Sequence, residues 1–107
     1  MNTAQNGAYF KAVPFQNDDR FQVAIKVAEI LGVGLKELTG FVDTDAKIIS
    51  ICIEMAVSAR SSMRELSKKY NINESYLSHR LAELKQRCKK EEALRNQLKA
   101  VCRAFNI

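Results

Sequence analysis

The chain has 107 residues, of which 47 % are hydrophobic, and a formal net charge of +5, which is typical of one basic globular domain with a modest core. We therefore expect no second, catalytic domain. No stretch approaches the roughly 18 consecutive apolar residues of a membrane span, and the first residues lack a basic region followed by an apolar run, so we expect a cytoplasmic protein.

Residues 1–17 are predicted to form an extended arm. They begin polar and end in residues 8–15, where one proline and three aromatic side chains follow no clear period. These aromatic side chains either dock on the single helical domain, residues 18–107, or contact a partner.

Two helical segments follow the arm. A cap at Asn17 or Asp18 begins a run of apolar residues at helical spacing, which Gly32 ends. Residues 35–40 are typical of a single helical turn that is closed by its terminal glycine.

Residues 48–57 form the most apolar part of the chain, with almost no polar face. Their β-branched side chains would also suit a strand, but the length from Asp45 to Ala59 and the absence of a partner strand favour a helix. With Asp43 or Thr44 as N-cap, we predict a central core helix that is buried on most sides.

A capping box begins the next helix. Because Glu65 follows Ser62 by three residues, the Ser hydroxyl can accept from a backbone N–H while the Glu side chain returns to the Ser N–H. Leu66 and Tyr70 lie one turn apart on the buried side of this helix. Residues 71–73 then break the pattern, which indicates a three-residue turn.

A second helix follows the turn, with Asn73 as its N-cap. Its inward apolar stripe comprises Leu77, Leu81, Leu84 and Cys88. A short helix, a turn and a second helix with a polar outward face form a helix-turn-helix, which predicts DNA binding. The residues predicted to read base edges in a major groove are Ser75, Tyr76, Ser78 and His79.

Positive charge is concentrated around this motif. Residues 60–107 hold 12 Lys and Arg against 5 Asp and Glu, whereas residues 1–59 hold 5 against 7, which gives +7 and −2. Basic side chains beside a groove would bind phosphates with salt-sensitive affinity, although such charges can also merely solvate helix faces. The N–H groups of residues 60–62, at a helix start, would hold a phosphate directly. The residues predicted to contact phosphates are Arg60, Ser61, Ser62, Arg64, Lys68, Lys69, Asn73, Arg80, Lys85 and Arg87.

A last helix follows a charged interruption at residues 86–92. The apolar residues that recur in it at helical spacing are Leu94, Leu98, Val101 and Phe105. One interpretation is that this helix closes the core. The alternative is a homodimer seam, because many helix-turn-helix proteins bind paired half-sites.

Cofactors, metals and catalysis are not expected. Cys52, Cys88 and Cys102 are odd in number, far apart and set in apolar patterns, which indicates buried thiols rather than disulfides or a metal site. With one histidine and no closely spaced cysteine pair, a zinc site is not expected either. Ser78 and His79 are adjacent on a helix and point about 100° apart, so they cannot form a nucleophile–base pair.

Several motifs occur in a recognisable order. The opening helix Val23-Ala-Ile-Lys-Val-Ala-Glu29 leads to Leu31-Gly-Val-Gly-Leu-Lys-Glu-Leu38, and a long apolar helix precedes the segment Ser62-Met-Arg-Glu-Leu-Ser-Lys-Lys-Tyr70. In these features the chain resembles the C-terminal DNA-binding domain of the bacterial replication initiator DnaA, whose helical fold is related to the Trp repressor. The resemblance implies an all-α fold of about six helices and a small transcriptional or replication-associated regulator that binds duplex DNA.

Two features depart from that family. The second motif helix begins Asn73-Glu-Ser-Tyr-Leu77 where the family has Asp-His-Ser/Thr-Thr-Val, and residues 40–45 carry two acids and no arginine where the family has a basic loop. The chain also lacks the Gly-rich loop of a nucleotide-binding domain. The alternative function is a protein-interaction module that has kept the fold and lost DNA, because carboxylates such as Glu74 and Glu83 repel phosphates.

Overall fold

The computed structural model describes residues 19–58 and 61–107, and within these ranges the chain is helical with no strand. A short 3-10 turn, Asp19–Phe21, precedes the α-helices. The helices are α1 (Gln22–Leu31), α2 (Leu35–Thr39), α3 (Asp45–Val57), α4 (Met63–Lys69), α5 (Glu74–Lys90) and α6 (Glu92–Ala104). The predicted all-α class is confirmed. The predicted arm and the cap at position 17 or 18 lie outside the described residues.

Local signals in the sequence set the ends of the helices. Gly32 ends α1 in the left-handed region, with φ of 69°, a conformation that costs glycine little. Thr44 is the N-cap of α3, and its hydroxyl accepts a hydrogen bond from the Lys47 N–H at 3.1 Å. Ser62 and Glu65 form the predicted capping box, because the Glu65 N–H donates to Ser62 Oγ at 3.1 Å and the Ser62 N–H donates to Glu65 Oε1 at 3.2 Å.

The turn between α4 and α5 is short, and hydrogen bonds connect it to α2 and to α5. Asn71 has a φ of 55°, a left-handed conformation that asparagine tolerates better than most residues. Its side-chain amide donates to the Thr39 carbonyl, which ties the turn to the end of α2. Asn73 caps α5 as predicted, since its side-chain oxygen accepts from the Tyr76 N–H at 3.0 Å.

The core is centred on α3, which packs against α1, α2, α5 and α6. The buried apolar side chains are Ala24, Val27, Ala28, Leu38, Ile48, Ile49, Ile51, Ile53, Leu66, Tyr70, Leu77, Leu84, Leu94 and Val101. Burial of one large aliphatic side chain contributes about 1.5–3 kcal/mol. The last turn of α3 is less buried than predicted, because Met55 and Val57 are 39 % and 41 % exposed and this turn extends past the core.

The last helix, α6, closes the core. Leu94 and Val101 are buried, and Leu98 and Phe105 pack partly buried against the core. The Lys26 ammonium group donates to a carbonyl at the end of α6 at 2.9 Å and lies 4.6 Å from the centroid of the Phe105 ring. The apolar stripe is therefore used within the chain, and a dimer seam through the same residues would require α6 to leave the core.

The three cysteines lie at the edge of the core. Cys52, Cys88 and Cys102 were predicted to be buried thiols, and they are free thiols that are half-buried. Burial raises the pKa of the Cys52 and Cys88 thiols, which keeps them protonated and weakly nucleophilic at neutral pH.

Candidate nucleic-acid interface

One exposed face of α5 carries all four side chains that were predicted to read bases. These exposed residues are Ser75, Tyr76, Ser78 and His79. The face is fixed because Leu77, on the opposite side of the helix, is fully buried in the core. The rings of Tyr76 and His79 stack with their centroids 6.4 Å apart. The first two turns of α5 thus present a continuous polar and aromatic surface.

The Tyr76 hydroxyl group is already engaged within the chain. It donates to Asp43 Oδ2 at 2.6 Å, and Asp43 lies in the loop between α2 and α3. This hydrogen bond to a carboxylate raises the pKa of the Tyr76 hydroxyl. Tyr76 as a whole is 45 % exposed. Its ring is the part of the side chain that remains available to a partner.

Arg80 was predicted to contact a phosphate, but its guanidinium group is surrounded by carboxylates of the same chain. The residue is only 7 % exposed. Its Nε lies 3.1 Å from both Asp43 oxygens, its Nη2 donates to Asp45 at 3.1 Å, and its Nη1 donates to Glu83 at 2.7 Å. A phosphate could bind only by displacing these acceptors, so the structure argues against the predicted contact.

Arg87 is also paired within the chain. Its guanidinium donates to both oxygens of Asp45 at 2.8 and 3.0 Å and to both oxygens of Glu91 at 2.7 and 3.0 Å. These bonds hold the pKa values of the Asp45 and Glu91 carboxyl groups below their ordinary range. A guanidinium with two bidentate partners has few donors left, which argues against the predicted phosphate contact here too.

Lys69 has a structural partner beneath α4. Its ammonium group pairs with Glu54, a residue that is 5 % exposed. The Tyr70 hydroxyl donates to the other Glu54 oxygen at 2.7 Å and lies 2.8 Å from Ser50 Oγ. A buried carboxylate needs a counter-ion, and Lys69 is the counter-ion of Glu54. The side chain of Lys69 is only 16 % exposed.

Two of the three backbone donors predicted to hold a phosphate at the start of α4, those of Ser61 and Ser62, are occupied. The Ser61 N–H donates to the Ser58 carbonyl at 3.3 Å, and the Ser62 N–H donates to Glu65 in the capping box. The side-chain oxygen of Asn73 is likewise used to cap α5. The phosphate role predicted for these groups is therefore not supported by their geometry. Arg60 lies outside the described residues.

Three of the predicted phosphate-binding cations remain open to solvent. Arg64 and Lys68 on α4 and Lys85 on α5 are exposed and form no ion pair with another described residue. In the sequence these cations lie on either side of the polar face of α5. They supply the positive charge that a phosphate backbone would meet.

Sequence reasoning did not anticipate the role of Asp43 and Asp45. Both were visible as acids in a loop where the family that the sequence resembles has a basic one, but their partners on α5 are 33 to 42 residues away in the chain. No local pattern encodes a pairing over that distance. The pairing of these two acids with the arginines can be recognised only once the packing of the helices is known.

The part of the chain that the structure describes shows neither a metal-binding cluster nor a membrane-spanning helix. Within it, no group of three or more His, Cys, Asp or Glu side chains could hold a metal ion. No helix of residues 19–58 or 61–107 is long and apolar enough to cross a membrane. In comparisons with known proteins, no family model, no curated protein and no solved structure matches the chain.

Proposed function

We propose that this protein binds duplex DNA, with α4 and α5 acting as a helix-turn-helix and α5 lying in the major groove. The observation that supports the proposal most strongly is the exposed polar face on the first two turns of α5, beside exposed cations on α4. Ser75, Ser78 and His79 would contact base edges, and the ring of Tyr76 would contact a thymine methyl group. A DnaA-like fold and a regulatory role in transcription or replication belong to the same proposal.

Fewer cations are available to bind phosphates than the sequence predicted. Arg64, Lys68 and Lys85 are available to phosphates, whereas Lys69, Arg80 and Arg87 are committed to carboxylates. The logarithm of the binding constant falls with the logarithm of salt by about 0.9 per phosphate neutralised, so three contacts give a slope of about −3. Binding should therefore be weaker and less salt-sensitive than the net charge alone suggests.

The test is a fluorescence-anisotropy titration of the full chain with a random-sequence duplex at several salt concentrations. We expect a slope of about −3, and we expect the double substitution R64Q/K68Q to reduce its magnitude by about 2. Lys99→Gln, at an exposed position on α6, is the matched control and should leave the slope unchanged. Failure of the chain to bind duplex even at low salt would contradict the proposal.

A second candidate function is a protein-interaction module that does not bind DNA. One observation favours it: four carboxylates, Asp43, Asp45, Glu83 and Glu91, form ion pairs with two arginines, Arg80 and Arg87, along one flank of α5. This flank carries an excess of negative charge that would repel phosphates. A binding titration that shows no duplex binding at low salt, together with a purified protein partner whose binding depends on Ser75 and His79, would favour this second function.

A further inference from the structure

The side chain of Tyr76 is fixed at both of its ends. Tyr76 lies in the first turn of α5, where its backbone N–H donates to the Asn73 side chain at 3.0 Å. At the far end of the side chain, the hydroxyl group donates to Asp43 Oδ2 at 2.6 Å. A phenol hydroxyl group has one proton to donate, so the hydrogen bond to Asp43 uses its donor capacity completely.

Asp43 is itself held in place by Arg80. Both oxygens of Asp43 accept from Arg80 Nε at 3.1 Å. A carboxylate oxygen can accept more than one hydrogen bond, so Asp43 can bond Arg80 and Tyr76 at the same time. One carboxylate thus connects the loop between α2 and α3 to the face of α5 that we propose for base contacts.

The ordered surface includes a second aromatic side chain. The rings of Tyr76 and His79 stack with an interplanar angle of 26°, and both residues are exposed. A side chain that is already held in one orientation loses little conformational freedom when a partner covers it. The hydrogen bond from Tyr76 to Asp43 therefore prepares about one turn of α5 for contact.

We propose that Asp43 is a positioning residue that determines which base Tyr76 contacts, an inference that rests on the proposed binding of α5 in a major groove. Guanine presents only acceptors, N7 and O6, in that groove, whereas thymine presents a methyl group. With its proton bound to Asp43, the Tyr76 hydroxyl group cannot donate to guanine. The ring of Tyr76 offers an apolar surface, which suits the thymine methyl group. Asp43 thus makes Tyr76 select thymine and reject guanine.

A tyrosine hydroxyl group without this acceptor would behave differently. It could donate to guanine N7 or O6, to adenine N7 or to thymine O4, and would discriminate poorly among these bases. The selectivity therefore comes from a residue that is 33 positions away from Tyr76 in the chain and that acts without touching DNA.

The first experiment identifies the base pair that Tyr76 contacts. The full chain selects duplexes from a random-sequence library at low salt, and Tyr76→Ala should lose the base preference at one position of the selected site. We expect thymine at that position. Deoxyuridine, which lacks the methyl group, should bind about fourfold more weakly there. Tyr76→Phe has no hydroxyl proton and should still discriminate against guanine.

The second experiment compares duplexes with thymine and with guanine at that position by fluorescence anisotropy. Asp43→Ala releases the Tyr76 hydroxyl group, so we expect the ratio of the two binding constants, thymine over guanine, to fall about fivefold. In the Tyr76→Phe background the same substitution should leave the ratio unchanged, because no hydroxyl group remains to be released. A purely structural loss would instead weaken binding to both duplexes alike.

The matched control is Glu74→Ala, which removes the same charge from an exposed position in the first turn of α5 and should leave the ratio unchanged. Arg80 keeps Asp45 and Glu83 as partners when Asp43 is replaced, so we expect Asp43→Ala to fold, and circular dichroism melting checks this.

Two kinds of failure are distinguishable. Loss of guanine discrimination in Tyr76→Phe, an unchanged ratio in folded Asp43→Ala, or an equal fall in the Tyr76→Phe background would overturn the role of Asp43 while duplex binding stands. The same holds for a wild type that binds duplex with no base preference that depends on Tyr76. A wild type that binds no duplex at low salt would overturn the proposed function and this inference with it.

Discussion

Arg80 lies where α5 meets the loop that precedes α3, and three carboxylates surround its guanidinium group. A planar guanidinium can donate in several fixed directions at once, which a lysine ammonium on a flexible stem cannot do. Asp43 comes from the loop before α3, Asp45 comes from the first turn of α3, and Glu83 comes from α5 itself. Arg80 therefore fixes the first turns of α5 against α3, and this contact orients the polar face of α5.

Replacement of Arg80 tests this positioning role at the scale of one residue. Arg80→Met keeps the apolar stem and removes the charged hydrogen bonds, so we expect the free energy of unfolding to fall by about 2 kcal/mol, with Arg80→Lys recovering part of the loss. Urea unfolding monitored by circular dichroism measures the change. The salt dependence of duplex binding should be the same for folded Arg80→Lys and wild type. An Arg80→Met variant as stable as the wild type would contradict the assignment.

At the scale of the element, the sequence predicts what short-range chemistry decides. The caps at Thr44, Ser62 and Asn73 act over three residues, so each is visible in the sequence and each is found in the structure. Helical spacing likewise identifies the buried stripe of α5. Exposure was harder to predict, because Met55 and Val57 belong to an apolar pattern yet extend past the surfaces that could cover them. Whether an apolar side chain is buried depends on how the helices pack.

The capping box of α4 yields a prediction for a single element. Ser62→Ala removes the oxygen that accepts from the Glu65 N–H, so we expect a loss of about 1 kcal/mol in the free energy of unfolding. Ser75→Ala, at an exposed position in the first turn of α5, is the control and should change stability by less than about 0.5 kcal/mol. Equal melting temperatures for Ser62→Ala and wild type would show that the cap contributes nothing.

At the scale of the whole molecule, the two halves of the chain neutralise part of each other's charge. Residues 1–59 carry −2 and residues 60–107 carry +7, and the acids of the first half meet cations of the second in the folded protein. Glu54 pairs with Lys69, Asp43 pairs with Arg80, and Asp45 pairs with both arginines. The sequence therefore overestimates the basic surface, because the number of charges is visible in the sequence while their pairing is a product of the fold.

These pairings make stability depend on pH in the acid range. The arginines hold the pKa values of Asp45 and Glu91 below those of the unfolded chain, which for Asp45 is near 3.8. As pH falls, the unfolded state takes up these protons first. The stabilisation is thus complete above about pH 5 and is lost progressively as pH falls through 3.8 towards the lower folded-state values.

Urea unfolding at about pH 3, 4, 5 and 7 measures this loss, and we expect a stability that is flat between pH 7 and 5 and declines below. Asp45→Asn should be less stable than the wild type at pH 7 and should lose less on acidification, because the group that titrates is gone. Glu92→Gln, at an exposed carboxylate without an ion pair to a described residue, should keep the wild-type decline. If Asp45→Asn and wild type lost stability in parallel, the pairing of Asp45 with Arg80 and Arg87 would not stabilise the fold.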